Sequence, residues 1–277
     1  MKIALSVQYD GSQFNGWQRQ KHGVRTVQEE LERALSKVAD EPLVLVCAGR
    51  TDSGVHGLAQ VVHIETNAVR DMKAWVNGGN RFLDYDIVIS WAQQVEDDFH
   101  ARFSAQSRSY RYLICNTPMR TAVMRRYVCW NYRPLDVDRM QSAANYLIGE
   151  HDFSSYRAAG CQAKTTQRKV MNLTVQRQGH MVVVDIQANA FLQHMVRNIV
   201  GVLMKIGAAE RDPVWAKDVL EFRDRTKGGV TAPPYGLYFT GVEYPERYQL
   251  PSACKNDYLY PLPFTPSLSK VEPSNIK

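Results

Sequence analysis

Apolar and polar residues alternate around Ile3, Leu5 and Val7, and a two-residue period of this kind suits a strand with one buried face rather than a helix. Strand-like runs recur along the chain: LVLVC from Leu43, AQVVHIE from Ala59, IVISWA from Ile87, SYRYLIC from Ser109, Val170 to Val175, Met181 to Ile186, and Gly236 to Val242. Single helical patterns lie between them. Val27, Leu31, Ala34, Leu35 and Val38 share one face of a helix beginning near Thr26, whose spacing to Glu29 is that of a capping box. A second helix is predicted from about Asp136 to Leu147, ending at Gly149. A third carries Phe191, Met195, Ile199 and Leu203 and stops at Gly207, and a fourth opens at Asp212-Pro213. Strands interleaved with single helices predict an α+β fold of two domains, 1–104 and 105–250, each a mainly antiparallel sheet with helices on one face. The segment 251–277, rich in Pro and Ser, is expected to be extended or weakly ordered.

The 277 residues, 44% of them hydrophobic, suffice for a substantial core. Lys and Arg exceed Asp and Glu by 34 to 28, giving a net charge of +6, which suits an anionic partner without identifying one. The five cysteines, Cys47, Cys115, Cys129, Cys161 and Cys254, are odd in number and contain no C-x-x-C pair, so neither a disulfide framework nor a cysteine zinc site is indicated. No apolar run approaches membrane-spanning length, and the first strand is too short for a signal-peptide core. The expected compartment is the cytoplasm.

Chemistry concentrates between Ala48 and Gly57, where Arg50, Thr51, Asp52, Ser53 and His56 stand among Gly49, Gly54 and Gly57 directly after a buried-looking strand. One reading is an Asx turn in which Asp52 only bonds neighbouring backbone N–H groups. The D-S-G string also occurs in aspartic peptidases. Those need two carboxylates sharing a proton, and a single D-S-G here would require an obligate dimer.

YDGSQFNGWQRQ with VQEELERAL, then AGRTDSGVHG, DDFHARFSA, SYRYLI, FSSYR and NAFLQHMVRNIVG follow one another in an order and spacing that resembles the tRNA pseudouridine synthases acting on uridines 38 to 40 of the anticodon stem and loop. The resemblance runs from Met1 to about Leu250. Ser53 and Phe14 stand where that family more often has Ala and Tyr, and Leu83-Asp84 where Leu-Pro is usual. None is a catalytic position. The resemblance implies a pseudouridine synthase fold whose two domains meet at a basic cleft, and an isomerase that needs no cofactor and no metal. It makes Asp52 the nucleophile, acting by transient bonding to C1′, by stabilising an electron-poor C1′, or by deprotonating the sugar. Tyr110 becomes the tyrosine that stacks on the target base, with handling of the C5 proton as a second role the resemblance allows. Tyr112, on the same strand face, is adequately explained as core. Arg197, within a polar stripe of Gln193, His194, Arg197 and Asn198 on an apolar helix, is implied to pair with Asp52.

Basic residues interleaved with aromatics supply the candidate RNA contacts: Phe99, His100, Arg102 and Phe103 in DFHARF, with Gln162, Lys164 and Arg168 before Val170, and Arg70 as a weaker candidate. Arg50, two residues before Asp52 on an extended segment, is placed to hold a phosphate or to fill the space left by a flipped base. Trp17 and Gln18 fit either cleft or core. The expected partners are tRNA, through its anticodon stem-loop, and a second copy of the chain as a homodimer. A metal is not expected, because the spacings of His56, His63, His100 and His151 match no zinc pattern.

Overall fold

The structure is a computed structural model, and it describes residues 1–20 and 23–251. The expectation for the Pro/Ser-rich tail from residue 252 onward lies outside the described residues. Strands are β1 (Lys2–Tyr9), β2 (Val46–Cys47), β3 (His56–Glu65), β4 (Ile87–Val95), β5 (Ser107–Asn116), β6 (Cys129–Asn131), β7 (Gly149–Asp152), β8 (Gln167–Gln178), β9 (Met181–Ala188) and β10 (Leu237–Glu243). Helices are α1 (Val27–Ala39), α2 (Met72–Phe82), α3 (Val137–Asn145), α4 (Met195–Gly207) and α5 (Trp215–Phe222).

The architecture is the expected α+β, with the strands of both halves joined in one ten-stranded sheet of order β4-β1-β3-β10-β5-β9-β8-β7, β2 pairing with β3 and β6 with β5. Pairing is antiparallel except for β10 with β3 and β6 with β5. The last strand thus makes the junction. β10 sets Phe239 opposite Gly57 of β3 on one side and opposite Tyr110 of β5 on the other.

One core gathers Leu5, Val7 and Ile64 of the N-terminal strands with Leu31 and Leu35 of α1 and Trp75 of α2. The larger core sets Tyr112, Ile114, Leu173 and Val184 against Met140 of α3, Ile199 and Leu203 of α4, and Val219 of α5. Alternation along β5 works as expected. Tyr110, Tyr112 and Ile114 enter this core, whereas Leu113 faces the other way with Val183 and Tyr238.

Local differences have identifiable causes. The capping box at Thr26 does not form: its side chain makes no cap bond, and its buried hydroxyl has no partner among the described residues. α3 is capped as such helices usually are, Asp136 accepting from the backbone N–H groups of Asp138 and Arg139 at 2.9 and 3.1 Å. Of LVLVC only Val46 and Cys47 join the ladder. The N–H groups of Leu43 and Leu45 are taken instead by Ser36 Oγ and Glu32 Oε1 on α1. α2 has no clear helical pattern in the sequence because Gly78 and Gly79 interrupt it, yet a Cβ at Gly79 would lie 2.5 Å from Ile89 Cδ1, so the glycine allows helix and strand to close together.

Candidate active site

The segment that follows β2 crosses the sheet at the β3–β10–β5 junction. A Cβ at Gly49 would stand 3.1 Å from the Phe239 ring and 3.7 Å from the Tyr110 hydroxyl oxygen. Many independent bonds fix this loop. Gln60 donates from Nε2 to the Gly49 carbonyl at 2.6 Å, Trp17 N–H donates to the Thr51 carbonyl at 3.0 Å, and Ser53 Oγ donates to the Phe14 carbonyl at 3.1 Å. Tyr9 Oη and Thr51 Oγ1 are 2.9 Å apart. Gly16 has a left-handed φ of 88°, and a Cβ there would lie 2.9 Å from the Thr51 carbonyl oxygen, so the N-terminal loop needs glycine to brace the Asp52 turn. Trp17, left between cleft and core by the sequence, is in the core, and Gln18 bonds to Gln28.

Asp52 is not spent on this scaffold. Its carboxylate bonds to no backbone N–H among the described residues, so the Asx-turn reading has no counterpart in the geometry. Arg197 Nη1 donates to Asp52 Oδ2 at 3.1 Å, while Arg197 Nε donates to the Ala232 carbonyl at 2.8 Å and so fixes the guanidinium. His194 Nε2 lies 3.3 Å from the same Oδ2, an ion pair when the imidazole is protonated but without hydrogen-bond geometry. Both contacts thus fall on one oxygen. Oδ1 accepts no hydrogen bond among the described residues, and the Asp52 side chain is 30% exposed, accessible from solvent but partly walled.

Tyr110 forms the apolar side of the site. Its ring is met edge-on by Phe191 at 4.9 Å and Phe239 at 5.0 Å, and its hydroxyl makes no hydrogen bond among the described residues. Burial first, then Tyr9 and the Asp52 charge, push its phenol far above the ordinary tyrosine value. At neutral pH it therefore keeps its proton and can donate a hydrogen bond or present its ring, but is not present as a phenolate base. A carboxylate with one oxygen free, an aromatic wall and a fixed cation suit an attack on, or stabilisation of, an electron-poor carbon.

A family model described as tRNA pseudouridine synthase matches residues 5–104 and 143–245. The chain belongs to the tRNA pseudouridine synthase family. A tRNA pseudouridine synthase A of Alcanivorax borkumensis is 58% identical over 90% of this chain and 94% of its own length. A protein of the same name from Pseudomonas aeruginosa is 56% identical over 90% of this chain and 88% of its own. Among solved structures, the archaeal box H/ACA sRNP Nop10-Cbf5 complex matches with a TM-score of 0.35 at 10% identity, covering 81% of this chain and 59% of that one, too remote to carry an argument. The aspartic-peptidase alternative has no support in this family membership.

The structure brings together Asp52, Arg197 and Tyr110. Arg50 is exposed and has no ion pair among the described residues, which leaves its guanidinium available. Phe99 is a correction: expected at an RNA surface, it is 0% exposed, packed against Tyr244 and Tyr248 with ring centroids 5.1 Å away in each case, and cannot stack on a base. Its neighbours differ. Phe103 is 77% exposed, with the His100 ring 4.3 Å and the Arg102 guanidinium 5.6 Å from its centroid, an exposed stack of cation and rings. Gln162 and Lys164 are exposed, and Arg168 is half-buried, bonded through Nη1 to the Thr165 carbonyl at 3.1 Å. Arg70 is folded back on the Val38 and Val69 carbonyls, with no bond to the Asp52 loop. No cluster of three potential metal ligands occurs among the described residues, and no described helix is long and apolar enough to cross a membrane.

Two residues were missed. Arg108, buried on β5, donates to the carbonyls of Ala48 (3.3 and 3.1 Å), Ala105 (3.1 Å), Asn189 (2.9 Å) and Arg102, and so ties the Asp52 loop to the exposed stack. The signal was legible, because a two-residue period places Arg108 on the apolar face of Tyr110 and Tyr112. The other is His194, noted in the polar stripe but given no role.

Proposed function

We propose that the chain isomerises uridine to pseudouridine at positions 38, 39 and 40 in the anticodon stem and loop of tRNA, with Asp52 as nucleophile and without cofactor or metal. Family membership supports the reaction and the tRNA substrate. The observation that carries the assignment to Asp52 is its carboxylate, held through Oδ2 by Arg197 with Oδ1 unengaged by the described residues. In the reaction the N1–C1′ bond breaks, the base turns while held in the pocket, and C5 joins C1′. The proton on C5 is released and N1 gains one. Asp52 bonds to or stabilises C1′ while it lacks its base, and Tyr110 lies against the base as it turns.

Arg50 enters the stem as the base leaves it, and His100, Arg102, Phe103, Gln162, Lys164 and Arg168 contact the RNA on either side, with Arg70 a more distant contact. The halves 1–104 and 105–250 act as two domains gripping the RNA in a basic cleft, and two copies of the chain share one tRNA in the cytoplasm. Recognition then rests on shape and phosphates more than on base edges. Incubation with unmodified tRNA carrying tritium at uridine C5 tests the reading, with release expected from positions 38 to 40. Release from other positions only would refute the site, and no release from a folded preparation would refute the reaction.

A further inference from the structure

His194 is the residue immediately before α4, and its backbone is left-handed, with φ 61° and ψ 4°. For a side chain branched only beyond Cβ this region is sparsely populated and costs about 1 kcal/mol relative to the right-handed form. Ordinary capping does not account for it, because the His194 side chain makes no cap hydrogen bond to α4. What the conformation achieves is a tight turn through Gln193 and His194, closed by Met195 N–H donating to the Leu192 carbonyl at 3.0 Å, which leads into the first helical turn, where Asn198 N–H donates to the His194 carbonyl at 2.9 Å. The turn sends the imidazole to the same side as Arg197, three residues on, and Nε2 comes to 3.3 Å from Asp52 Oδ2. The two side chains reach one oxygen, His194 from the turn before α4 and Arg197 from its first turn. Neither lies on Oδ1.

We propose that His194 is a positioning residue: with Arg197 it fixes the plane of the Asp52 carboxylate so that Oδ1 faces the reacting C1′. The inference rests on the reading of Asp52 as nucleophile. A single contact from Arg197 would leave the carboxylate free to turn about its Cβ–Cγ bond, carrying Oδ1 out of line. An ion-pair contact on Oδ2 from a protonated His194, reaching it from a different direction, restricts that freedom and favours a near-attack geometry. Arg197 has an independent anchor at the Ala232 carbonyl, and His194 has its backbone conformation. Arg197 thus holds its position without needing the carboxylate, as preorganisation requires, and the turn at His194 delivers the imidazole to the same oxygen.

The test uses His194→Gly and His194→Asn, because both residues tolerate a left-handed backbone and neither disturbs the turn. For both, the melting temperature and the tRNA Kd should stay close to wild type, while single-turnover isomerisation of bound tRNA slows by about tenfold or more. Free imidazole should restore part of the rate to His194→Gly, which leaves a void of matching shape, and none to His194→Asn. A purely structural role would not respond to imidazole. Asp52→Asn serves as the control in the same assay. If His194→Gly works at the wild-type rate, or slows without any response to imidazole while Asp52→Asn is inactive, the positioning role is refuted and the nucleophile stands. If Asp52→Asn is itself active, the underlying reading falls first.

Discussion

Replacing Asp52 by Asn removes one charge and one nucleophilic oxygen while keeping the shape of the side chain, and the structure sets what each loss is worth. At 3.1 Å the attraction to Arg197 would reach about 5 kcal/mol at an effective dielectric constant near 20, but that gross figure is offset by desolvation of both groups. With Asp52 30% exposed and Arg197 13% exposed, screening reduces the net contribution to about 1 kcal/mol. The amide oxygen still accepts from Arg197, whose Nε keeps the Ala232 carbonyl, and the turn survives because no backbone N–H depends on the carboxylate. The melting temperature should therefore fall by no more than about 2–4 °C for a chain of this size. Activity should fall far more. An amide cannot serve as nucleophile or carry the charge that steadies C1′, so the single-turnover rate should drop by about 10⁴-fold or more, equivalent to ~5.5 kcal/mol. Affinity for tRNA should be unchanged or slightly higher, because a negative charge has left a surface facing phosphates. Melting, binding and single-turnover pseudouridine formation measured on one preparation separate these effects. Substantial product from a well-folded Asp52→Asn protein would refute the nucleophile, and a rate lost only in proportion to folded protein would make Asp52 a structural turn residue.

Gly57→Ala places a Cβ 2.3 Å from Cε1 of the buried Tyr9 ring, so the ring or β3 must move; about 2 kcal/mol of overpacking should lower the melting temperature by ~4–8 °C. Because Tyr9 Oη holds Thr51, the rate per folded molecule should fall too, and an unchanged melting temperature would show that the site has slack. Burial, then His100 and Lys2, lower the His63 pKa to about 4, so between about pH 6.5 and 4 the unfolded chain binds the proton and the folded chain does not. Stability is full above about 6.5 and declines by about 3 kcal/mol as the pH falls to 4, and His63→Asn, which can still accept from Ala101 N–H, should flatten that limb in pH-dependent denaturant titrations. An equally steep limb in the variant would place the titration elsewhere. Arg102→Ala and Lys164→Ala should each weaken tRNA binding and reduce the slope of log Kd against log salt by about one; unchanged slopes would exclude phosphate contacts there.

Sequence pattern exposed the parts of this molecule whose physics is periodic or contiguous. Apolar alternation located β1 and β5 and apolar runs located β3 and β9, although β1 and β3 prove buried on both faces, and the Asp52 loop was legible as a motif because consecutive residues build it. α2 was not legible, since Gly78 and Gly79 break the helical signal for the sake of a contact with Ile89, a residue on a different element. Phe99 misled for the converse reason. Aromatics in a basic run suit RNA stacking and core packing equally, and only the arrival of Tyr244 and Tyr248, from the far end of the chain, makes Phe99 core and leaves Phe103 outside.

The missed residues around Asp52 share a feature: sequence can mark them, as the strand period marks Arg108, but what each does depends on where it sends its side chain. Arg108 has no carboxylate partner among the described residues and spends its donors on four different carbonyls, one of them Ala48 at the root of the Asp52 loop. A charge on an apolar strand face signals that something must satisfy it, and the answer lies in loops distant in sequence. His194 is farther from view, because its reach to Asp52 depends on a left-handed backbone that residue type alone does not announce in a histidine. Asp52 therefore combines a carboxylate visible as sequence with a setting built from three-dimensional contacts. Substitutions at Arg108 should act on loop geometry and on the exposed stack together, whereas substitutions at His194 should act on the carboxylate alone.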